Sequence, residues 1–241
     1  MTRGIPPRCA LAIAQRSLKI AAPGMTSAPK HLEMQQLEAG IAHILDSPKA
    51  EGTLEMIVRR PRCAEREVLG TGELHPAEGL RGDNWKERGS TRTPDGSADP
   101  DVQLTLMNAR VIALLAQDKT HWPLAGDQLY VDFDLSEANV PAGTQLEIGS
   151  ALIEVTPPPH TGCKKFTARF GLNAMHFVNS PTGRQLHLRG INAKIVRAGS
   201  VRVGDSVTKV NGQQLASPDI IRNTWGSFLA VVFGKRMGAN E

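Results

Sequence analysis

One cysteine near the middle of the chain has neighbours that could make its thiol chemically active. Cys163 follows a Pro/Gly turn that begins with the prolines at 157–159, with His160 before it and Lys164 and Lys165 directly after it. Thiolates, rather than thiols, act as nucleophiles and metal ligands, and neighbouring cations lower the pKa of a cysteine. The pattern therefore predicts a nucleophilic Cys163 with His160 as its catalytic partner. A buried cysteine at a strand end, followed by two solvated lysines that begin a helix, is the competing interpretation.

The composition is that of an ordinary globular protein, with 40% hydrophobic and 22% charged residues among 241. The net charge is only +4, aromatic residues make up 4%, and no basic run is present. Nucleic-acid binders, in contrast, combine clustered cations with stacking aromatics. No apolar stretch approaches the ~18 residues of a membrane-spanning helix. We therefore expect neither a nucleic-acid partner nor a membrane partner, whereas a small anionic ligand is compatible with this charge.

The other cysteines and the histidines suggest little additional chemistry. Cys9 and Cys63 bring the number of cysteines to three, and the chain has no CxxC pair. An odd number without such a pair argues against a disulfide framework or a zinc site and favours a reducing, cytoplasmic compartment. We expect Cys63 to be structural or incidental and Cys9 to be inert. The histidines are scattered without HExxH spacing, so a catalytic zinc site has little support.

The elements that would position Cys163 follow from the periodicity of the apolar residues. Alternating or short apolar runs predict strands at 54–58, 102–106, 129–135, 146–148, 151–155, 193–196 and 206–210. Apolar spacings of three and four residues predict helices over 30–46, 109–116, 166–178 and 216–235. Gly171 weakens the third of these helices, residues 81–101 form a long polar loop, and turns fall at 198–199 and 203–205. Several short strands without a visible parallel βαβ alternation favour a barrel or a curled sheet.

These patterns divide the chain into four parts. They are a flexible leader at 1–28, an N-terminal helix at 29–48, a β-barrel domain at 50–210 and a C-terminal helical extension at 211–241. Met25 is an alternative start within the leader.

Short motifs on both sides of Cys163 occur in the order seen in a known family. They are 79–83 (GLRGD), 103–106 (QLTL), 126–129 (GDQL), 143–149 (GTQLEIG), 159–163 (PHTGC), 189–193 (RGINA) and 204–205 (GD). This ordered set resembles MOSC domains, the type found at the C-terminus of molybdenum cofactor sulfurases, over roughly residues 50–210. The resemblance implies a mainly β fold with flanking helices, built around a MOSC-like β-barrel.

The resemblance also implies a role for Cys163. In that family the cysteine at this position is proposed to carry sulfane sulfur as a persulfide or to contact molybdenum, so molybdenum cofactor (molybdopterin) is the implied cofactor. The chain has no desulfurase domain and no pyridoxal-binding lysine motif, so it would need a partner. That partner is a sulfur donor (a cysteine desulfurase or another persulfide source), a molybdoenzyme, or both. Pyridoxal phosphate is associated only with the family as a whole, and nothing in the sequence supports it.

Basic residues around Cys163 are candidates for binding the cofactor. A pterin cofactor carries a phosphate, which arginine binds well. The candidates are Lys164, Lys165, Arg169, Arg184 and Arg189. Asp83 and Asn84, in the polar loop, could close over the ligand. The competing interpretations are surface ion pairs for the arginines, a backbone-bonded turn histidine for His160 and loop capping for Asp83 and Asn84.

The sequence thus favours the handling of sulfur or molybdenum cofactor through Cys163, and two other functions stay open. The first is a molybdenum-cofactor-dependent reductase of N-hydroxylated compounds, because some proteins with this domain resemble such enzymes. The second is a non-catalytic module that only binds the cofactor.

Overall fold

The computed structural model describes residues 28–210, and these residues form eleven strands and six helices. The strands are β1 (Glu51–Arg59), β2 (Glu67–Leu69), β3 (Thr71–His75), β4 (Gly79–Leu80), β5 (Leu104–Asn108), β6 (Leu129–Asp132), β7 (Gln145–Ile148), β8 (Ala151–Val155), β9 (Ile191–Arg197), β10 (Gly199–Arg202) and β11 (Ser206–Lys209). The helices are α1 (Met34–Ala39), α2 (Ile41–Leu45), α3 (Trp85–Arg88), α4 (Ala109–Ala116), α5 (Lys164–Asn179) and α6 (Pro181–Gln185). Two 3₁₀ segments cover Pro100–Val102 and Lys119–Ala125. The predicted leader up to residue 27 and the predicted helical extension at 211–241 lie outside the described residues.

Seven of the strands close into a barrel. Their order around it is β1, β11, β7, β8, β9, β5 and β6, and β6 pairs again with β1. β1 is long enough to pair with β11 through 51–53, with β6 through 53–57 and with β2 through 57–59. A separate three-stranded sheet runs in the order β10, β3, β4. Closure gives every barrel strand two neighbours, which removes the exposed edges that an open sheet would carry.

Period-two alternation divides the apolar residues between the inside and the outside of the barrel. On β6, for example, Leu129 and Val131 belong to one buried cluster, whereas Tyr130 belongs to another. The first cluster consists almost wholly of residues from strands and fills the barrel. The second contains the buried residues of α1, α2, α4 and α5 together with outward-facing strand residues such as Met56. The helices therefore cover one side of the barrel, and α5, which follows Cys163, is one of them.

The predicted fold class, mainly β with flanking helices around a barrel, is confirmed. The helix predicted at 109–116 is α4, and the strand predicted at 151–155 is β8. The predicted helix over 30–46 is instead two short helices, because Gly40 ends α1 and packs against Leu114. The predicted turn at 198–199 is instead the start of β10.

The structure contains one parallel unit that was not visible in the sequence. β5 and β6 pair in parallel, joined by α4 and the 3₁₀ segment Lys119–Ala125. The second half of this crossover contains Pro123, which cannot donate to a helical ladder, so its sequence lacks a helical pattern. The predicted strand at 129–135 also ends at Asp132, although Phe133 and Leu135 remain buried in the barrel core.

Two further observations bear on the sequence expectations. Cys163 is a free, exposed thiol, and the absence of a disulfide framework stays a prediction. Within residues 28–210, no helix is long and apolar enough to cross a membrane.

Candidate functional site

Cys163 lies at the junction between a strand and a helix, as the N-cap residue of α5. β8 ends at Val155, and the prolines at 157–159 cannot donate to a continuing ladder, so the chain leaves the sheet there. Asn179 then fixes the loop from the far end of α5, because its Oδ1 accepts from the Gly162 N–H (2.9 Å) and its Nδ2 donates to the Gly162 carbonyl (3.1 Å). The Cys163 carbonyl in turn accepts from the backbone N–H of Thr167 at 3.0 Å. A free thiol is thus held on the surface by bonds on both sides of it.

The cations near Cys163 come from the first turns of α5. Lys164 and Lys165 are exposed, and Arg169 is partly buried with its Nη1 donating to the Leu124 carbonyl. Burial lowers the pKa of Arg169, and the negative charge of the Cys163 thiolate opposes that effect. The Arg169 guanidinium therefore lies within the electrostatic field of the thiol.

A second arginine, Arg66, lies beside Arg169 at Gly126. Gly126 adopts a left-handed conformation (φ 92°), and a Cβ there would lie 3.4 Å from Arg66 Nη2 and 3.8 Å from Arg169 Nη1. Burial, and then the like charges of Arg169 and Arg60, lower the pKa of Arg66 to about 10. Its Nε is buried and has no hydrogen-bond partner among the described residues. An anion bound beside Arg66 would therefore stabilise the charged form of its side chain.

Two neighbouring arginines are already neutralised by aspartates. Arg60 makes a two-pronged ion pair with Asp83, through Nε at 2.8 Å and Nη2 at 2.9 Å. Arg189 donates from Nη1 to Asp127 Oδ2 at 2.7 Å and lies 4.9 Å above the ring of Phe166. No carboxylate within residues 28–210 pairs with Arg66 or Arg169. Positive charge without a counter-charge is therefore concentrated on these two side chains.

His160 faces the buried Asp127 and is not a cation. The His160 Nδ1 and Asp127 Oδ1 atoms are 3.5 Å apart, and each is buried without a hydrogen-bond partner in the described chain. Burial, and then the positive charge of Arg189, lower the pKa of His160 to about 3, against the opposing effect of Asp127. The ring is therefore neutral near pH 7, and the role of His160 as the catalytic partner of Cys163 stays a prediction.

A cleft of about 480 Å³ opens beside the loop that leads to Cys163. Its walls include the loop from Thr156 to Thr161, the start of β9 from Gly190 to Asn192, and Arg184 of α6. Asn192 donates from Nδ2 to the Pro158 carbonyl at 2.9 Å and so ties the two walls together. Cys163 itself does not line the cleft.

Residues 101–208 match the family model for the MOSC domain. This part of the chain is similar to the MOSC domain. The family is associated with molybdenum cofactor. No curated protein matches the chain. Among solved structures, the YuaD protein from Bacillus subtilis is 16% identical over 65% of this chain and 94% of its own, with a TM-score of 0.45. YiiM from Escherichia coli is 21% identical over 66% of this chain and 70% of its own, with a TM-score of 0.44.

The structure brings some of the predicted site residues together and separates others. Cys163, Lys164, Lys165 and Arg169 share the start of α5. His160 and Arg189 meet at Asp127. Arg184 lines the cleft, as His160 does.

The two residues predicted from the polar loop have structural positions in the described chain. Asp83 is buried against Arg60, and Asn84 is the N-cap position of the one-turn helix α3, where its side chain makes no capping bond. These contacts correspond to the structural interpretation of Asp83, and they leave it no free oxygen for a ligand.

Sequence reasoning missed Arg66 and Asp127 as parts of this site. Asp127 belongs to the motif at 126–129 that contributed to the family resemblance. The sequence did not show that Asp127 pairs with Arg189. Arg66 precedes the segment that matches the MOSC domain, and no local pattern distinguishes it from other surface arginines. Within residues 28–210, no group of three or more His, Cys, Asp or Glu side chains could hold a metal ion, so a metal at this site would depend on Cys163 together with ligands from a cofactor.

Proposed function

We propose that the MOSC domain of this chain binds molybdenum cofactor, with the Cys163 thiolate as its protein ligand to molybdenum. The observation that carries the proposal is a free surface thiol in the field of Arg169, which itself lies beside an arginine without a counter-charge. Thiolates are soft ligands that suit such metals, and arginine pairs are suited to phosphate. The residues present therefore fit an anionic cofactor that carries both a metal and a phosphate.

Each residue has a distinct part in this proposal. Arg66 and Arg169 would bind the anionic end of the cofactor, and the buried, unpartnered Nε of Arg66 would gain an acceptor. Lys164 and Lys165 would add positive charge around the thiolate. Arg189, which is paired with Asp127, would support the site by stacking on the ring of Phe166. When bound, the cofactor would supply oxygen-atom transfer at molybdenum, a chemistry that no protein side chain provides.

The exposure of Cys163 favours a second candidate function, that of a sulfur carrier. A carrier thiol must reach a donor protein and an acceptor protein, and this one lies on the surface rather than in the cleft. The Cys163 thiolate would attack the outer sulfur of a donor persulfide, form a new S–S bond and release the donor as a thiolate. The exchange is balanced and needs no oxidant. Lys164, Lys165 and Arg169 would stabilise the resulting persulfide anion.

One experiment tests both functions. The full chain is produced in a host that makes molybdenum cofactor, and native mass spectrometry and metal analysis are applied to the wild type, Cys163→Ser, Arg66→Gln and the control Arg197→Gln. Arg197 is an exposed arginine paired with Glu147 at the opposite end of β8. We expect about one molybdenum per wild-type and Arg197→Gln chain, and a loss of at least about tenfold in the other two variants, the effect of about 1.4 kcal/mol.

The other outcomes are equally specific. A mass increase of one sulfur on Cys163, without molybdenum, would support the carrier instead. Molybdenum retention that is the same in the wild type and Cys163→Ser would show that the thiol is not the ligand. A wild-type chain that holds neither sulfur nor molybdenum would contradict both candidates.

A further inference from the structure

The cleft beside the Cys163 loop is separate from the residues assigned to the cofactor. Its volume of about 480 Å³ is within the range of small-molecule sites, roughly 300–1,000 Å³. Neither Cys163, Arg66 nor Arg169 lines it. The cleft is therefore a candidate for a second ligand.

The walls of the cleft are apolar and fixed in place. Val155, Val178 and Ile191 contribute buried hydrophobic side chains. The hydroxyl of Thr156 donates to the Asp101 carbonyl (2.5 Å), and Asn192 donates to the Pro158 carbonyl (2.9 Å). Because these wall groups already have partners, the cleft presents a largely apolar surface to a ligand.

One cation on the cleft lacks a counter-charge. Arg184 donates from Nε to the Asn179 carbonyl at 3.1 Å, and no carboxylate in the described chain pairs with it. The acidic residue that lines the cleft, Glu137, lies against His187 instead, with the Glu137 Oε2 and His187 Nε2 atoms 3.0 Å apart. The guanidinium of Arg184 is therefore a charge on the cleft wall without a carboxylate partner in the described chain.

The backbone conformation of His187 is an independent indication that this cleft is a functional site. It adopts a positive φ of 47°, which is strained for a residue with a Cβ, and such strain concentrates at functional sites. Its two ring nitrogens contact the Leu135 carbonyl (2.7 Å) and Glu137 (3.0 Å). These contacts hold the His187 and Glu137 side chains at the cleft.

We propose that the cleft binds a small organic carboxylate with an apolar body, with Arg184 on the carboxylate and Val155, Val178 and Ile191 around the body. Arginine forms two parallel hydrogen bonds to a carboxylate, and the apolar walls would cover a ring or a short chain. This site goes beyond the proposed cofactor function, since it shares none of the residues assigned to the cofactor.

The test uses benzoate as the probe and benzamide as its neutral, nearly isosteric control, with binding to the full chain followed by NMR. We expect benzoate to shift the amide signals of Thr156, Thr161 and Asn192, and to bind at least about tenfold more tightly than benzamide, as a charge-assisted bond implies. Arg184→Gln should reduce benzoate to the affinity of benzamide. Arg202→Gln removes an exposed arginine of β10 that does not line the cleft, and it should change neither affinity.

Four results would overturn the proposal. Benzoate and benzamide could bind equally well, or Arg184→Gln could leave benzoate binding unchanged. The shifts could instead map to Gly126 and Arg169, or benzoate could fail to bind. None of these results depends on whether the chain retains molybdenum, so the two proposals can fail separately.

Discussion

The arginines of the site differ in what neutralises them, and this difference decides what each can do. Arg60 and Arg189 are each held by a buried aspartate, and a buried ion pair is costly to break. Arg66 and Arg169 lie next to one another without such a partner within the described chain. The first two therefore support the site, and the second two are available to a ligand. Arginine content alone, as read from the sequence, does not separate these two groups.

The buried, neutral His160 predicts a specific dependence of stability on pH. Its pKa is about 3 in the folded protein and about 6.5 in an unfolded chain, so the unfolded state binds one more proton between these values. The stability that comes from keeping the ring neutral is complete above about pH 6.5, and it falls by ~1.4 kcal/mol for each pH unit below that. Urea unfolding of the wild type between about pH 7 and about pH 5 should show this loss, about 2 kcal/mol in total.

Two variants separate this effect from the titration of other groups. The free energy of unfolding should change less steeply with pH in His160→Gln than in the wild type. The difference in slope should correspond to about one proton over the same pH range. His43→Gln, at an exposed position of α2, is the control for the loss of a histidine side chain. Equal slopes for the wild type and His160→Gln would contradict a buried neutral ring.

At the scale of elements, the sequence predicted those whose pattern is local and missed those that depend on distant partners. α4 carries a clear helical period and β8 is a short apolar run, and both were predicted. β10 was not predicted, and its first residue, Gly199, was placed in a turn, because the strand is four residues long and its conformation comes from pairing with β3. The same limit applies to the site, since Asp127 and Arg189 are 62 residues apart and no local pattern relates them.

Gly171 shows how a local signal can be correct and still incomplete. A glycine inside a helical pattern indicated a weak point, and α5 indeed departs from helical geometry there, with φ 91° and ψ 169°. A Cβ at this position would lie 2.8 Å from the ring of His31. The sequence therefore predicted the interruption, whereas the reason, a close approach of the segment before α1, requires the tertiary structure.

The loop that presents Cys163 should depend on Asn179 at the end of α5. Asn179→Ala removes both bonds to the partly buried Gly162 peptide, and we expect a loss of about 1–3 kcal/mol in the free energy of unfolding. Hydrogen exchange should become faster at Gly162 and its neighbours in the loop. Asn173→Ala is the control, because Asn173 also makes two side-chain bonds from α5, but to Leu32 and Glu33. Unchanged exchange at Gly162 in Asn179→Ala would show that the loop is held by other contacts.

At the scale of the whole molecule, the order of the strands is what gathers the site. Arg66 follows β1, Asp127 precedes β6, His160 follows β8 and Arg189 precedes β9. These strands belong to one run of paired neighbours, in the order β8, β9, β5, β6 and β1, so pairing within this run brings together residues that are distant in the sequence. Closure itself requires Gly52 on β1, which pairs with Val207, because a Cβ there would collide with the Asp132 carbonyl oxygen and with Phe133.

A closed barrel predicts how fast the backbone amides of β11, the strand that closes it, exchange with solvent. β11 pairs with β1 on one side and with β7 on the other, so its amides should be protected to about the same free energy as those of β8, which also has two neighbours. β2 pairs only with β1 in the described chain, and its amides should exchange by local opening at a lower free energy, since singly paired strands open first. Native-state exchange followed by NMR gives all three values in one experiment. If β11 exchanged as fast as β2, these pairings would be open in solution, which would contradict a closed barrel.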